Sequence, residues 1–381
     1  MPSIYIKNVG PLIDTGQLNI TPITLIIGKQ STGKSTLLKI LSFCSWVEKR
    51  LMIDEDKFMY DYTHYQKFLK ELMKFHRMND DEFSIDSYIE YESDLVRIEV
   101  NGNRKNAKIT RKPGFKEFAQ NFKQSFIPSE RNFLTSIQNI EKIYRTNNID
   151  NIFNFILEWR DAKSCFTADN ELDLVVTEGM KYYYDNKTEK EIIKLDNNKR
   201  ISPFYASSGV QSALPLLVMA NYLQSIIGQA NYSADDYATG KDLSKFAYKY
   251  FRIFIEEPEQ NLFPESQYEL IRSLIRIVND SKGSGIVLTS HSPYILTSIN
   301  LLIEASLAKM ADQEKASQIL GGVDINLDSK DFSAYSISEN GFVENIIDDE
   351  TSLIKGEYLD SISDKFDDMT YQLNNILYGN D

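Results

Sequence analysis

Residues 18–35 read LNITPITLIIGKQSTGKS: an apolar run ends at Ile27, a glycine-bearing turn follows, and Lys34 opens a stretch of helical spacing. The segment Gly28-Lys29-Gln30-Ser31-Thr32-Gly33-Lys34-Ser35 fits GxxxxGK[ST], a pattern that carries weight only between a strand and a helix. That context is present, because Leu37, Leu38, Leu41 and Val47 recur at helical intervals up to Arg50. Glycines let backbone N–H groups approach an anion, and the N-terminus of a helix favours negative charge. In such a loop Lys34 would reach the outer phosphates of a nucleotide and Ser35 would ligate magnesium.

Phosphoryl transfer also needs a carboxylate near the metal and a group that positions water. Glu256 and Glu257, at the end of the apolar run Ile253-Phe254-Ile255, supply both. His291 follows another apolar run, GIVLTS (285–290), where its imidazole can contact a γ-phosphate. The stretch Ser207-Ser208-Gly209-Val210-Gln211 has two readings, an ordinary helix cap or a set of N–H donors offered to a phosphate bound by another subunit.

The rest of the chain supplies the frame. Strands are expected at 4–9 and 18–27, a helical lobe over 52–92, a hairpin pairing 95–100 with 107–111, helices within 115–164 and strands at 180–195. Strands at 250–255 and 285–290 alternate with helices at 264–279 and 293–308, the arrangement of a parallel sheet. A tail hairpin over 332–348 and an amphipathic helix over 359–378 follow. The expected fold is therefore α/β: a mixed sheet with the ligand at its strand ends, an antiparallel β-subdomain and an inserted helical lobe. Four segments are expected, 1–50 and 201–330 forming the core, 51–200 its insertions, and 331–381 the tail.

At 381 residues, 42% hydrophobic and 25% charged, the chain can bury a large core, and no apolar run approaches the roughly 20 residues of a membrane span. The N-terminus lacks signal-peptide character, so a cytoplasmic, membrane-free protein is expected. Cys44 and Cys165 are read as buried fillers, and the scattered His64, His76 and His291 leave oxygen ligands, hence magnesium, as the expected metal chemistry. The net charge of −13 argues against a surface that coats nucleic acid, although Arg104, Lys105, Lys108, Arg111 and Lys112 could contact a phosphate backbone locally.

In their order, GKQSTGKST, SSGVQS, FIEEPE and TSHSP resemble the ABC-type soluble ATPases, AAA family members of the OLD and SMC-like branch. The run EEPEQNLFP, the stretch FIPSERNF (126–133) and the N-terminal IKNVGPL look like the ATPase part of overcoming-lysogenization-defect nucleases and of bacterial anti-phage ATPases such as those of Septu and PARIS. The resemblance implies that Gly28, Lys29, Gln30, Ser31, Thr32, Gly33, Lys34, Ser35 and Thr36 bind ATP. It implies Mg2+ at Ser35 and Glu256, catalysis by Glu257 and a switch role for His291. It further implies that Ser208, Gly209 and Gln211 act across a homodimer or higher homo-oligomer.

Departures accompany the likeness. Glu256 replaces the usual aspartate, Val210 the second signature glycine, and Phe263 a common aspartate or histidine. Gln124 is the candidate for the family's Q-loop glutamine, and Arg131 reads either as a phosphate contact or as a partner of Glu130. The chain continues only about 90 residues past the His291 strand, too few for the Toprim nuclease of the OLD enzymes beside a packed tail. A separate effector protein, a nuclease, is therefore the expected partner, with DNA as a further possibility. The alternative is a DNA-repair ATPase of the SMC type, which should carry heptad-patterned arms. A transporter subunit should carry LSGGQ, which is absent.

Overall fold

The computed structural model describes residues 2–53, 55–103, 106–118, 120–138, 140–144, 149–197, 199–228, 247–319, 325, 327–358 and 369–373. Its central sheet is built on strand β4 (Ile23–Gly28), the apolar run that precedes the glycine turn. Side by side lie β16 (Val343–Asn345), β15 (Phe332–Ile337), β4, β14 (Gly285–Ser290), β13 (Tyr250–Glu256) and β8 (Phe122–Ile127). All neighbours are parallel except β16, which turns back along β15. Parallel strands buried on both faces read as continuous apolar runs, as IFI and IVL do here. The register sets Ile27 beside Ser290 and Thr289 beside Glu256, so the loops after β4, β14 and β13 leave the sheet at one edge.

Helix α1 (Lys34–Ile53) lies between this sheet and a second, antiparallel one. The second sheet has the order β2 (Leu12–Asp14), β1 (Ser3–Val9), β5 (Phe83–Glu92), β6 (Val96–Asn101) and β7 (Ala107–Arg111), with β3 (Leu18–Asn19) also on β1. Leu37, Leu38 and Leu41 of α1 share one core with Ile4, Ile6 and Ile98 on that side and with Ile26, Phe254 and Val287 on the other. Helices α2 (Glu55–Thr63) and α3 (Lys67–His76) close the same core. On the opposite face of the central sheet, Leu25, Ile253 and Ile255 pack against α4 (Asn151–Lys163), α5 (Ser208–Ile226), α6 (Pro264–Asn279) and α7 (Pro293–Ala311). A small antiparallel sheet, β12 (Arg200–Ile201), β11 (Lys190–Lys194), β10 (Lys181–Asp185) and β9 (Leu172–Asp173), sits under α4, where Trp159 meets Tyr182.

Several expectations need correction. Residues 83–92 form a strand, not part of a helical lobe: Ser87, Ile89 and Tyr91 alternate inward, a period of two that pairs with β1. Within 115–164, FKQSFI forms β8, because the open edge of β13 takes it as a parallel neighbour. Cys44 is buried as expected, but Cys165 is exposed. Of the expected 359–378 helix only 369–373 are described, and Arg104 and Lys105 also lie outside the described residues. Among the described residues, no helix is long and apolar enough to cross a membrane.

One buried charge network ties α1 to both sheets. Arg252 Nη1 donates to Glu48 Oε2 at 2.8 Å and to Ser45 Oγ at 2.9 Å, and Tyr91 Oη donates to the same Glu48 oxygen at 2.6 Å. Burial, reinforced by the Glu48 charge, pushes the Tyr91 hydroxyl well up from its usual range. Removing one partner of a buried pair strands the other charge, at a cost of about 3–5 kcal/mol. Glu48→Ala is expected to lower unfolding stability by that amount in urea titrations, whereas an exposed change such as Lys142→Ala should leave it nearly unchanged.

Candidate active site

The turn after β4 needs glycine at two places. Gly28 has φ 150° and a Cβ there would meet the Ile337 carbonyl oxygen at 2.7 Å; Gly33 has φ 109° and would meet Leu12 Cδ2 at 2.7 Å. Thr32 Oγ1 closes the loop on the Lys29 carbonyl at 2.9 Å, Ser31 takes a left-handed φ of 64°, and Gln30 is exposed. Lys29 pairs with Glu339 of the β15–β16 hairpin. Lys34 is buried at the start of α1, and its ammonium donates to the carbonyls of Gly28 at 2.7 Å and Lys29 at 2.6 Å. Burial pulls its pKa down to about 8, opposed by the charges of Glu257 and Glu259. Thr36 is buried one residue past Ser35.

Ser35 Oγ donates to Glu256 Oε1, so the first turn of α1 touches the end of β13 directly. The other Glu256 oxygen accepts from Ser129 N at 3.3 Å, and burial pushes this carboxyl up. A hydroxyl and a carboxylate side by side are hard oxygen donors of the kind magnesium takes, usually as one or two protein ligands plus water and phosphate. Among the described residues, no cluster of three or more His, Cys, Asp and Glu that could hold a metal occurs.

Glu257 adopts φ 45°, uncommon for a residue with a Cβ and a conformation that needs surrounding structure to hold it. Its N–H is tied to the Thr289 carbonyl at 3.0 Å, and its Oε1 lies 2.8 Å from His291 Nε2. His291 Nδ1 lies 3.1 Å from the Gly28 carbonyl. Both ring nitrogens therefore face acceptors. The two bonds can form together only if the ring carries two protons or Glu257 carries one.

Two residues in this edge were given the wrong role or none by sequence. Arg131 neither pairs with Glu130 nor points to a phosphate. It is buried, and donates to the carbonyls of Ser212 at 2.9 Å, Glu256 at 2.7 Å, Glu257 at 2.7 Å, Pro258 at 3.2 Å and Pro128 at 3.5 Å. Glu259, quoted within the EEPE run without a function, accepts through Oε1 from His291 N at 2.7 Å and Ser290 Oγ at 2.8 Å, and so fixes the turn that carries the imidazole. A third acidic residue two positions after the pair was the available signal.

Loop 28–35, Glu256, Glu257 and His291 are thus brought together; Ser208, Gly209 and Gln211 are held elsewhere. Ser207 caps α5 by accepting from Val210 N at 3.5 Å, and Gln211 Nε2 donates to the carbonyls of Pro203 at 3.1 Å and Phe204 at 2.9 Å. Gly209 lies against Asn261, whose carbonyl an added Cβ would meet at 2.8 Å. Gln124 donates to the Ser42 carbonyl at 2.9 Å, two helical turns beyond Ser35, which removes it from the phosphate loop. On the basic hairpin, Lys108 pairs with Glu99 at 2.9 Å and Lys112 with Glu92 at 2.6 Å, so carboxylates already offset part of that charge.

Residues 132–296 match the family model described as the AAA ATPase domain. No curated protein matches the chain. Solved structures similar to it include an SMC head domain from Thermotoga maritima, with a TM-score of 0.41 and 9% identity over 90% of this chain and 97% of that one. An Smc head domain with an extended coiled coil from Pyrococcus furiosus gives a TM-score of 0.42 and 9% identity over 97% and 100% of the two chains. An ATP-binding cassette of an ABC transporter in its ADP conformation gives 0.33 and 11% over 90% of each. The matched stretch, which holds Ser208, Glu256, Glu257 and His291, is similar in sequence to AAA ATPase domains, and the loop at 28–35 precedes it.

Proposed function

We propose that the chain binds Mg-ATP at the Gly28–Ser35 loop, hydrolyses it within a pair of copies, and acts as a sensor or scaffold that controls a separate effector, a nuclease, in anti-phage defence. The observation that carries the ATPase reading is the meeting of Ser35 with Glu256 and of Glu257 with His291 at one sheet edge. Lys34 and the loop N–H groups would hold phosphate, and Ser35 with Glu256 would hold magnesium. Glu257 would orient a water and take its proton as the water oxygen bonds the γ-phosphorus and the bridging bond to ADP breaks, leaving ADP and phosphate, with His291 against the same carboxylate. Ser208, Gly209 and Gln211 would serve the loop of a second copy. Exposed rings beside them support that face as a contact, with Tyr205 at 71% and Phe263 at 77% exposure. The defence role rests on the sequence resemblance.

Replacement of the carboxylate by an amide keeps the shape and removes the base. Glu257→Gln is expected to lower ATP turnover at least about a hundredfold and to accumulate an ATP-dependent dimer or larger assembly, read by phosphate release and light scattering. Unchanged turnover in the variant would sink the assignment of Glu257.

The Lys34 pKa of about 8 adds a pH test. Phosphate attraction needs the charged ammonium, so below pH about 8 this group makes affinity flat. Above it, binding must take up a proton, and ADP affinity is expected to fall by up to about tenfold per pH unit. Lys34→Arg stays charged and should flatten the profile between pH 7 and 9.5, measured by calorimetry.

A further inference from the structure

A cavity of about 670 Å³ lies between the C-terminal half of α1, α3, α4 and the edge strand β8. Its walls carry polar atoms that the fold leaves unsatisfied. Both ring nitrogens of His76 and Oε1 of Gln124 are buried without a hydrogen-bond partner among the described residues, although such atoms are rarely left so. The His76 ring is held by edge contacts with Phe75 and Phe126, and the Gln124 amide by its bond to Ser42, so neither is free to turn to water.

The charges on these walls are unequally engaged. Lys49 is buried, its ammonium 5.2 Å from the Trp46 ring and 5.3 Å from the Tyr248 ring, with no carboxylate paired to it among the described residues. Arg50 lies beside it, its guanidinium 3.9 Å over the Phe58 ring and 5.5 Å from the Trp46 ring and its Nε without a hydrogen-bond partner among the described residues, and Lys74 is exposed on the rim. Each of the three acids already faces a cation: Glu158 accepts from Ser125 Oγ at 2.6 Å and faces Lys123 at 3.3 Å, Glu71 faces Lys67 at 3.7 Å, and Asp161 faces Arg160 at 3.7 Å. Unpaired cations call for an anion, and flat indole and phenol faces call for a flat ring. The volume falls within the range of about 300–1,000 Å³ typical of small-molecule sites.

We propose that this cavity is a second ligand site, separate from the loop at Gly28, that takes a free nucleoside monophosphate. The phosphate would lie toward Lys49 and Arg50, and the base against Trp46 and Tyr248. This reading does not depend on the assignment of the ATPase site.

Trp46 makes the test direct, since the chain has only two tryptophans and the other, Trp159, is fully buried against Tyr182. In a Lys34→Ala chain, where the loop is impaired, AMP should give a saturable change in tryptophan fluorescence and a calorimetric stoichiometry of one per chain. Lys49→Met should weaken AMP by about tenfold or more, as loss of a charge-assisted contact does. The exposed Lys74→Glu, which tests the charge without disturbing the core, should weaken it about threefold. Adenosine, lacking the phosphate, should bind far more weakly. Absence of saturable AMP binding, equal binding of adenosine, or affinity unchanged in both the Lys49 and the Lys74 variants overturns the proposal.

Discussion

The Arg131 guanidinium donates to five backbone carbonyls, three of them consecutive at Glu256, Glu257 and Pro258 and the others at Ser212 and Pro128. A buried cation with only carbonyls for direct partners is costly unless its donors are all used, and the fork of Arg131 is filled almost completely. Burial pulls its pKa down to about 10, with Glu259, Glu257 and Glu256 opposing, so it stays charged at neutral pH. The consequence is geometric. The chain leaving β13 cannot relax Glu257 out of its left-handed conformation without breaking these bonds, and that conformation points the Glu257 carboxylate at His291. Arg131 also bonds the Ser212 carbonyl, so one side chain holds the start of α5 and the end of β13 together.

The phosphate loop is fixed from the other side. Leu12 fills the space that a Cβ at Gly33 would need, and Gly341, at φ 76°, lets its hairpin lie on β2, where Ile13 N donates to the Gly341 carbonyl at 2.9 Å. An alanine at 341 would place Cβ 2.2 Å from the Pro11 oxygen, a distance that backbone alone cannot absorb. The same hairpin supplies Glu339 to Lys29. The loop is thus gripped by the antiparallel sheet and by a strand more than 300 residues away in sequence, through register rather than through its own sequence.

What could be read from the sequence follows from this. Of the single strand expected at 18–27, the part that forms β4, the loop and α1 were legible because a continuous apolar run, a glycine pair and a helical period occur without interruption, whereas Leu18–Asn19 pairs with β1 in the other sheet. The strands at 250–256 and 285–290, with Glu256, Glu257 and His291 at their ends, were legible for the same reason. Strand β8 was not, because FKQSFI is short, lies among helical segments, and becomes a strand only when β13 offers an edge. Nor was Arg131: a charged residue beside Glu130 suggests an ion pair, and only the fold shows that carbonyls 125 residues onward surround it. Glu259 was hidden for a related reason, since its partners sit at the end of β14.

The candidate site and the proposed cavity share two walls, which gives their relation a physical form. Helix α1 begins with Lys34 and Ser35 at one and continues through Trp46, Lys49 and Arg50 at the other; β8 carries Gln124 and Phe126 in the cavity wall and runs on to Ser129, which donates to Glu256, and to Arg131. Both elements are regular, buried and bonded to each other through Gln124 and Ser42. A ligand that favoured one spacing of α1 and β8 over another would act on the sheet that also carries Glu256, because β8 is paired along its length with β13. Linkage then requires reciprocity: whatever factor an occupant of the cavity imposes on nucleotide affinity at the loop, nucleotide at the loop imposes on that occupant. A ligand indifferent to the spacing would bind and shift nothing, so the size of any coupling measures how far this one helix–strand contact has two arrangements rather than one.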